Sequence, residues 1–213
     1  MRLENVKVYD LEESMIASGY PMRTDLTEDI ITDKTIKRCM NLTKASNGNG
    51  AHGQWLTGVR VAFDLTCTNK MWVEAERYRF LEFVSSQSTM HRITKFNLDE
   101  AYNEYVDSRV IEIMKKKVDE YNDLCNAIIP QSCEAMEEHA QLKKKKYLEI
   151  LYTNPAGFEL TARMTTNYRC LLNIYIQRHD HRLPEWREFC QHLLDLPYFP
   201  DLVNAYYSGK LSE

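Results

Sequence analysis

Long hydrophobic runs are missing from this 213-residue sequence. Its most apolar stretches, such as Asn126-Ala127-Ile128-Ile129-Pro130, stop far short of the ~20 residues that a membrane-spanning helix needs. The opening Met1-Arg2-Leu3-Glu4 lacks the apolar stretch of an export signal. Both absences predict a cytoplasmic protein with no membrane partner. Paired cysteines are missing too: the six, at 39, 67, 125, 133, 170 and 190, show neither Cys-x-x-C nor metal-finger spacing. They read as reduced thiols, mostly small core residues, with no base or positive field beside them to make a nucleophile. His179 and His181, separated by Asp180, would fall on different faces of a helix, so no metal site is expected. An excess of positive charge is also lacking. Lys and Arg number 27 against 31 Asp and Glu, a net charge of −4, which argues against nucleic acid held by bulk charge and leaves nucleotide-sized anions held by local arginines. Finally, the sequence contains no Gly-x-x-x-x-Gly-Lys-Ser/Thr loop, no Gly-x-Ser-x-Gly elbow, no Gly-x-Gly-x-x-Gly fingerprint and no His-Glu-x-x-His. Hydrolysis, kinase chemistry and zinc catalysis lose their usual signatures.

What remains is a chain that is 44% apolar and 27% charged, long enough to bury roughly 70% of its unfolded surface. Neither an internal repeat nor a linker divides it, so residues 1–213 are expected to form a single domain. A helix is predicted over Thr27 to Lys44, capped by Thr27 or a neighbour. Ser46 to Gly53, rich in glycine, reads as a turn or loop ending near His52. In Gln54 to Thr68 the apolar Trp55, Val59, Val61, Phe63 and Leu65 recur with a period of two, the pattern of a half-buried strand. Lys70 to Phe83 reads as a helix and Ser85 to Thr89 as a polar loop. A long helix opens at Asn97 or Leu98 and ends before Pro130; another covers Ser132 to Tyr152, with Lys143 to Lys146 on a solvated face. Asn154 to Gly157 is a turn, Phe158 to Met164 a short helix, and Asn167 to Arg178 a mostly buried helix. Pro184 opens a last helix through Leu196, which Pro197 and Pro200 end.

Three clusters carry candidate chemistry. Arg77-Tyr78-Arg79 sets two bidentate donors just ahead of a serine-rich loop, an arrangement suited to phosphate and equally to neutralisation by Glu74, Glu76 and Glu82. Asn167, Arg169, Asn173 and Arg178 embed polar groups among buried aliphatics, where they must find either internal partners or a polar ligand. His52 stands alone in its loop.

In that order the clusters resemble the flavin-dependent thymidylate synthases, across roughly residues 50 to 195. The family's Arg-His-Arg triplet, following serine and further arginine correspond to Arg77-Tyr78-Arg79, Ser88 and Arg92. Its glycine-flanked histidine and Val-x-Phe correspond to His52 and Val61-Ala62-Phe63. Its Asn-x-Arg-Ser-Leu-x-Asn-Phe-x-x-x-Arg is followed, without change of spacing, by Asn167-Tyr168-Arg169-Cys170-Leu171-Leu172-Asn173 and Arg178, with Pro155 upstream.

The resemblance implies a mixed α/β (α+β) fold, helices packed on a small antiparallel sheet, assembled as a homotetramer with sites shared between subunits. It implies FAD as cofactor, NADPH as reductant, methylenetetrahydrofolate as one-carbon donor and dUMP as acceptor, giving dTMP without a cysteine nucleophile. Carried over, His52, Arg77, Tyr78, Arg79, Asn167, Arg169 and Asn173 would contact the flavin, and Glu74, Arg77, Gln87, Ser88, Arg92 and Arg178 the nucleotide. Arg178 and Ser88 would be the catalytic groups. The sequence departs from the family in four places: Tyr78 replaces the triplet's histidine, the loop from Phe80 to Arg92 is longer, Leu183-Pro184-Glu185-Trp186 replaces Ala-Gln-x-Glu, and Leu151 stands where the family has an arginine reaching to a neighbouring subunit's nucleotide. Lys145 or Lys146 is the candidate replacement for that arginine. A related hydroxymethylase acting on a pyrimidine nucleotide and a non-catalytic helical binding protein are the alternative readings.

Overall fold

The computed structural model describes residues 1–26, 30–46, 50–130 and 132–210. Four strands, β1 (Arg2–Tyr9), β2 (Arg60–Thr68), β3 (Glu82–Ser86) and β4 (Glu159–Asn167), form a small antiparallel sheet in the order β1-β2-β4-β3. The helices are α1 (Leu11–Ala17), α2 (Asp33–Ala45), α3 (Asn69–Ala75), α4 (Thr89–Arg92), α5 (Ser108–Asn126), α6 (Cys133–Thr153), α7 (Tyr168–Arg178), α8 (Pro184–Leu193) and α9 (Phe199–Lys210). The expected class, helices with a small antiparallel sheet, is the one observed. The chain divides into two compact units, the first made of Met1–Thr66, Val73–Ser85 and Ala162–Glu213, the second of Cys67–Trp72 and Ser86–Thr161.

In the first unit β1 pairs antiparallel with β2, Leu3 opposite Leu65 and Val8 opposite Val61. Leu3 and Val8 are five residues apart and their partners four, so both reach the same face only because the register shifts between Glu4 and Lys7. Asn5 sits in that bulge at φ 51°, a left-handed conformation that asparagine tolerates. The extra residue also breaks the alternation, which is why the sequence does not announce this strand. β2 is buried along nearly its whole length, with Arg60 exposed and Asp64 half-buried. Ala62 and Thr66 on its other face are buried along with Val61, Phe63 and Leu65, so the expected half-buried strand is covered on both faces. The segment ahead of it, Ala51–Thr57, is a 3₁₀ turn.

Capping residues explain several boundaries. α2 begins at Asp33, because Thr32 and Thr35 form a reciprocal capping box; Thr27, the expected cap, lies outside the described residues, as do 47–49 of the glycine-rich segment. The guanidinium of Arg38 closes the C-terminal end of α1, donating to the carbonyls of Met15 (3.1 Å) and Ile16 (3.4 Å) and adding a cation to acceptors that Ser18 Oγ and Gly19 N–H also bond. Gly58 approaches the same corner so closely that an added methyl would run into the Ser14 hydroxyl. Gly58→Ala is expected to cost ~1–3 kcal/mol as an overpacked contact, read as a lower denaturant midpoint with an unchanged slope.

Two of the sequence expectations fail in the C-terminal half for identifiable reasons. Phe158 to Met164 is not a helix: β4 runs through it, burying Ala162, Met164 and Thr166 at alternate positions, a period of two in a threonine-rich segment. Pro200 does not end a helix but sits in the first turn of α9, where its missing donor is harmless. Tyr198 makes the corner between α8 and α9 at φ 58°, a costly region for a bulky residue. The corner is held by Tyr168, whose hydroxyl donates to the Pro197 carbonyl at 2.9 Å. Tyr168, Trp186, Phe189 and Phe199 are fully buried and form the aromatic centre of this unit.

The second unit is built on the pair α5 and α6. Met114, Val118 and Ile150 pack with Ile93, Leu98, Ala101 and Phe158, the core-facing stripe of two amphipathic helices. α5 starts at Ser108, capped by Asp107, about ten residues later than the periodicity indicates. α6 begins after Ser132, whose side chain caps Ala135, close to the expected bounds.

The cysteines separate cleanly. Cys39, Cys67, Cys170 and Cys190 are buried, and Cys125 and Cys133 are exposed. Two thiols per chain are therefore expected to react rapidly with a thiol reagent in the native state and the other four only on unfolding. Burial pushes Cys190 up to about 12, with the Arg178 charge opposing it, and also raises Cys39 and Cys170. A thiol whose folded pKa lies above its unfolded value stabilises fully below the ordinary 9.0 and loses that contribution as pH rises toward 12. The urea midpoint should thus fall between pH 9 and 12.

Candidate functional site

α3 ends at Ala75, and Arg77-Tyr78-Arg79 lies in the turn that follows, not on the expected helix. The turn is closed by Tyr78 N–H donating to the Ala75 carbonyl (3.0 Å) and Leu81 N–H to that of Tyr78 (2.9 Å). Ending the helix there separates the three side chains: Tyr78 goes into the core, 8% exposed, while Arg77 and Arg79 stay exposed. On the opposing segment Asn167 caps α7, its side-chain oxygen accepting from Cys170 N–H at 2.9 Å. That cap fixes the helix register and sets Arg169 and Asn173, four apart, on one face.

These residues border a hollow of about 800 Å³ in the first unit, lined by Arg77, Arg79, Asn167, Arg169 and Asn173, with Arg60, Gln54, Thr57 and Phe80 completing the wall. Arg169 donates to the Gln54 side chain at 2.6 Å. Arg60, Arg77 and Arg79 form no ion pair with the described residues. Arg79 lies 5.6 Å from the centre of the Phe80 ring, a contact that leaves its charge uncompensated. Three uncompensated guanidinium groups facing one concavity, with Glu82 as the single acidic lining residue, make a local positive field in an acidic chain, and the planar forks match phosphate oxygens. Arg60 is the residue the sequence reading missed. As the exposed first residue of β2, opposite Tyr9, its alternation with the buried strand positions was the available signal.

A second hollow, about 420 Å³, adjoins through Arg77, Tyr78 and Asn173 and is closed by Gln177 and Arg178. Arg178 is 15% exposed and tightly held. Its Nη1 donates to Glu74 Oε2 at 3.0 Å and its Nε to the Tyr78 hydroxyl at 2.8 Å. The guanidinium carbon lies 5.1 Å from the Trp186 ring centre, and Trp186 Nε1 donates to the same Glu74 oxygen at 3.1 Å. His181 completes the cluster. Its Nδ1 accepts from Leu183 N–H at 3.2 Å and its Nε2 is 3.6 Å from Glu74 Oε2. Burial raises the Tyr78 phenol above its ordinary value, with the nearby Arg178 charge acting against it, so the phenol keeps its proton as a donor.

The remaining expected site residues are placed elsewhere. His52 is exposed in the 3₁₀ turn and lines a separate hollow of about 430 Å³ with Ser14, Ser18 and Trp55; that hollow shares Gln54 and Thr57 with the arginine-lined one. Gln87, Ser88 and Arg92 belong to the second unit. Gln87 is clamped to β4, its backbone N–H donating to the Thr161 carbonyl and its side-chain oxygen accepting from Thr161 N–H, both at 2.9 Å. Ser88 precedes α4 without a side-chain cap, and Arg92 is exposed at the helix end. Leu151, at the position of the family's arginine, packs against the core of the second unit. Of its candidate replacements, Lys146 is tied to Glu120 at 2.8 Å, whereas Lys145 lines an open hollow with Lys144 and Tyr152.

No protein-family model matches the sequence, and no curated protein sequence matches it. Solved structures do. Flavin-dependent thymidylate synthase ThyX of Helicobacter pylori, in complex with FAD and dUMP, matches with a TM-score of 0.65 at 15% identity, over 95% of this chain and 97% of that one. A second structure of ThyX from the same organism, also with FAD and dUMP, gives a TM-score of 0.66 at 15% identity and the same coverage. The chain therefore has the flavin-dependent thymidylate synthase fold. None of its described helices is long and apolar enough to cross a membrane.

Proposed function

We propose that the chain is a flavin-dependent thymidylate synthase, transferring a one-carbon unit from methylenetetrahydrofolate to C5 of dUMP with FAD as cofactor and NADPH as reductant. The observation that carries this reading is the convergence of uncompensated Arg60, Arg77 and Arg79 with Asn167, Arg169 and Asn173 around one hollow, in a chain whose fold is that of ThyX bound to FAD and dUMP. The donor set fits a dinucleotide: permanent cations for the phosphates and neutral amides for a heterocycle's edges.

Bound FAD would supply the redox chemistry that carries the one-carbon unit to the methyl level. The chain's own residues bind and orient. Arg77 borders both hollows and is positioned to serve an anion in either. Arg178, enclosed by Tyr78 and Trp186, is shielded from water, where a fixed positive charge most effectively stabilises negative charge developing on a pyrimidine. Glu74 orients the guanidinium through its 3.0 Å hydrogen bond. Assembly with further copies of the chain, in the proposed function a homotetramer, is consistent with β3, an edge strand exposed along its whole length with Phe83 45% and Val84 61% accessible, a surface that another subunit would cover.

The purified protein should be yellow, or become so on incubation with FAD, and should restore growth to a thymidine-requiring bacterium. A product heavier than dUMP by a methyl, and not a hydroxymethyl, group separates the synthase from the hydroxymethylase by mass spectrometry. A colourless protein that takes up no flavin overturns the proposal.

A further inference from the structure

The hydrogen bonds around Tyr78 have a fixed direction. Arginine can only donate, so the Arg178 Nε contact at 2.8 Å makes the Tyr78 hydroxyl an acceptor. The single phenolic proton is then directed to Gln177 Oε1, 3.0 Å away. With its oxygen so engaged, Gln177 presents its amide nitrogen to Asn173, donating to Oδ1 at 3.0 Å. The Asn173 NH₂ group has no partner among the described residues and is available to a ligand. The charge on Arg178 thereby dictates, through Tyr78 and Gln177, which end of the Asn173 amide is offered. Arg178 borders the smaller hollow, while Asn173 borders both.

We propose that Tyr78 and Gln177 are positioning residues that tie the orientation of Arg178 to that of Asn173, so that an anion engaging Arg178 and a ligand engaging Asn173 in the larger hollow change each other's affinity. The tyrosine that replaces the family's triplet histidine thereby acquires a specific role. Its ring packs on Trp186 at 5.8 Å while its hydroxyl accepts from one side and donates to the other. The coupling acts in both directions, since the factor by which one ligand alters the affinity of the other is necessarily reciprocal. A ligand that draws Arg178 away from Tyr78 frees the phenol to turn, and the amide order behind it is lost.

This inference rests on the two-ligand reading above, with FAD and dUMP as the probes. FAD is titrated into the full-length protein with and without saturating dUMP, and the coupling factor is the ratio of the two dissociation constants. The unaltered protein should show a factor of about five or more. Tyr78→Phe, which keeps the ring, and Gln177→Leu, at an exposed position, should each bring it to within about twofold of unity while both ligands still bind and the thermal midpoint of Gln177→Leu is unchanged. Coupling retained in either variant, or absent from the unaltered protein that binds both ligands, overturns the relay. Failure of the unaltered protein to bind FAD or dUMP instead overturns the functional reading on which it rests.

Discussion

Arg178→Met should lower turnover by about 100-fold or more while leaving flavin binding in place. Methionine retains the length and apolar body of the side chain, so the packing against Trp186 survives. What disappears is the guanidinium that donates to Glu74 and Tyr78 and, in the proposed reaction, stabilises charge on the pyrimidine. Loss of one such preorganised donor typically costs 10²–10³ in rate. Arg178→Lys should recover only part of that, because an ammonium restores the charge and not the planar fork that reaches two acceptors at once. dTMP formed per bound flavin is the measurement, and visible absorbance is the control for cofactor content. Turnover unchanged in Arg178→Met would remove this residue from the reaction.

The largest effect on stability is expected at Trp186. Its side chain is fully buried, edge-on to Phe189 at 5.9 Å and to Tyr78 at 5.8 Å, with Arg178 over its face. Truncation to alanine should cost ~3–5 kcal/mol from lost transfer energy and the cavity left behind, a drop of about 10 °C in thermal midpoint for a chain of this size. Trp186→Phe should cost less, since it fills most of the cavity but removes the N–H that donates to Glu74. Its cost combines the lost ring volume with that hydrogen bond, worth about 1 kcal/mol or somewhat more to a charged acceptor. Thermal unfolding followed by circular dichroism would check both variants, and Trp186→Ala within 1 kcal/mol of the unaltered protein would contradict the packing described.

Several features were legible in the sequence itself. α6 and α7 fall close to their predicted bounds because each is announced locally, by Ser132 and Asn167 as caps and by Pro130 and Pro155 nearby. Most of the cysteines were expected in the core, and four of the six, Cys39, Cys67, Cys170 and Cys190, are buried there, while Cys125 and Cys133 lie on exposed surface. The spacing of Asn167, Arg169, Asn173 and Arg178 survives intact as one face and one end of a helix, since a helix converts sequence intervals directly into geometry.

Other features depended on partners distant in the chain. β1 escaped notice because a bulge offsets its periodicity, and β4 because a nine-residue segment with few large apolar side chains becomes a strand only through its neighbours in the sheet. From spacing alone Arg77 and Arg79 read equally as a phosphate site and as a face neutralised by Glu74, Glu76 and Glu82. In the folded chain Glu74 is committed to Arg178 and Trp186, across 104 and 112 residues, and the two arginines remain uncompensated. The motifs' resemblance to a known family implied the fold class, while spacing and capping residues marked out α6, α7 and most polar groups of the candidate site, because those properties are encoded within a turn or two of helix. Which charges are cancelled, which way the Tyr78 hydroxyl faces and how Arg60 joins the wall were decided by long-range packing, since only the folded chain brings residues a hundred positions apart within hydrogen-bond reach.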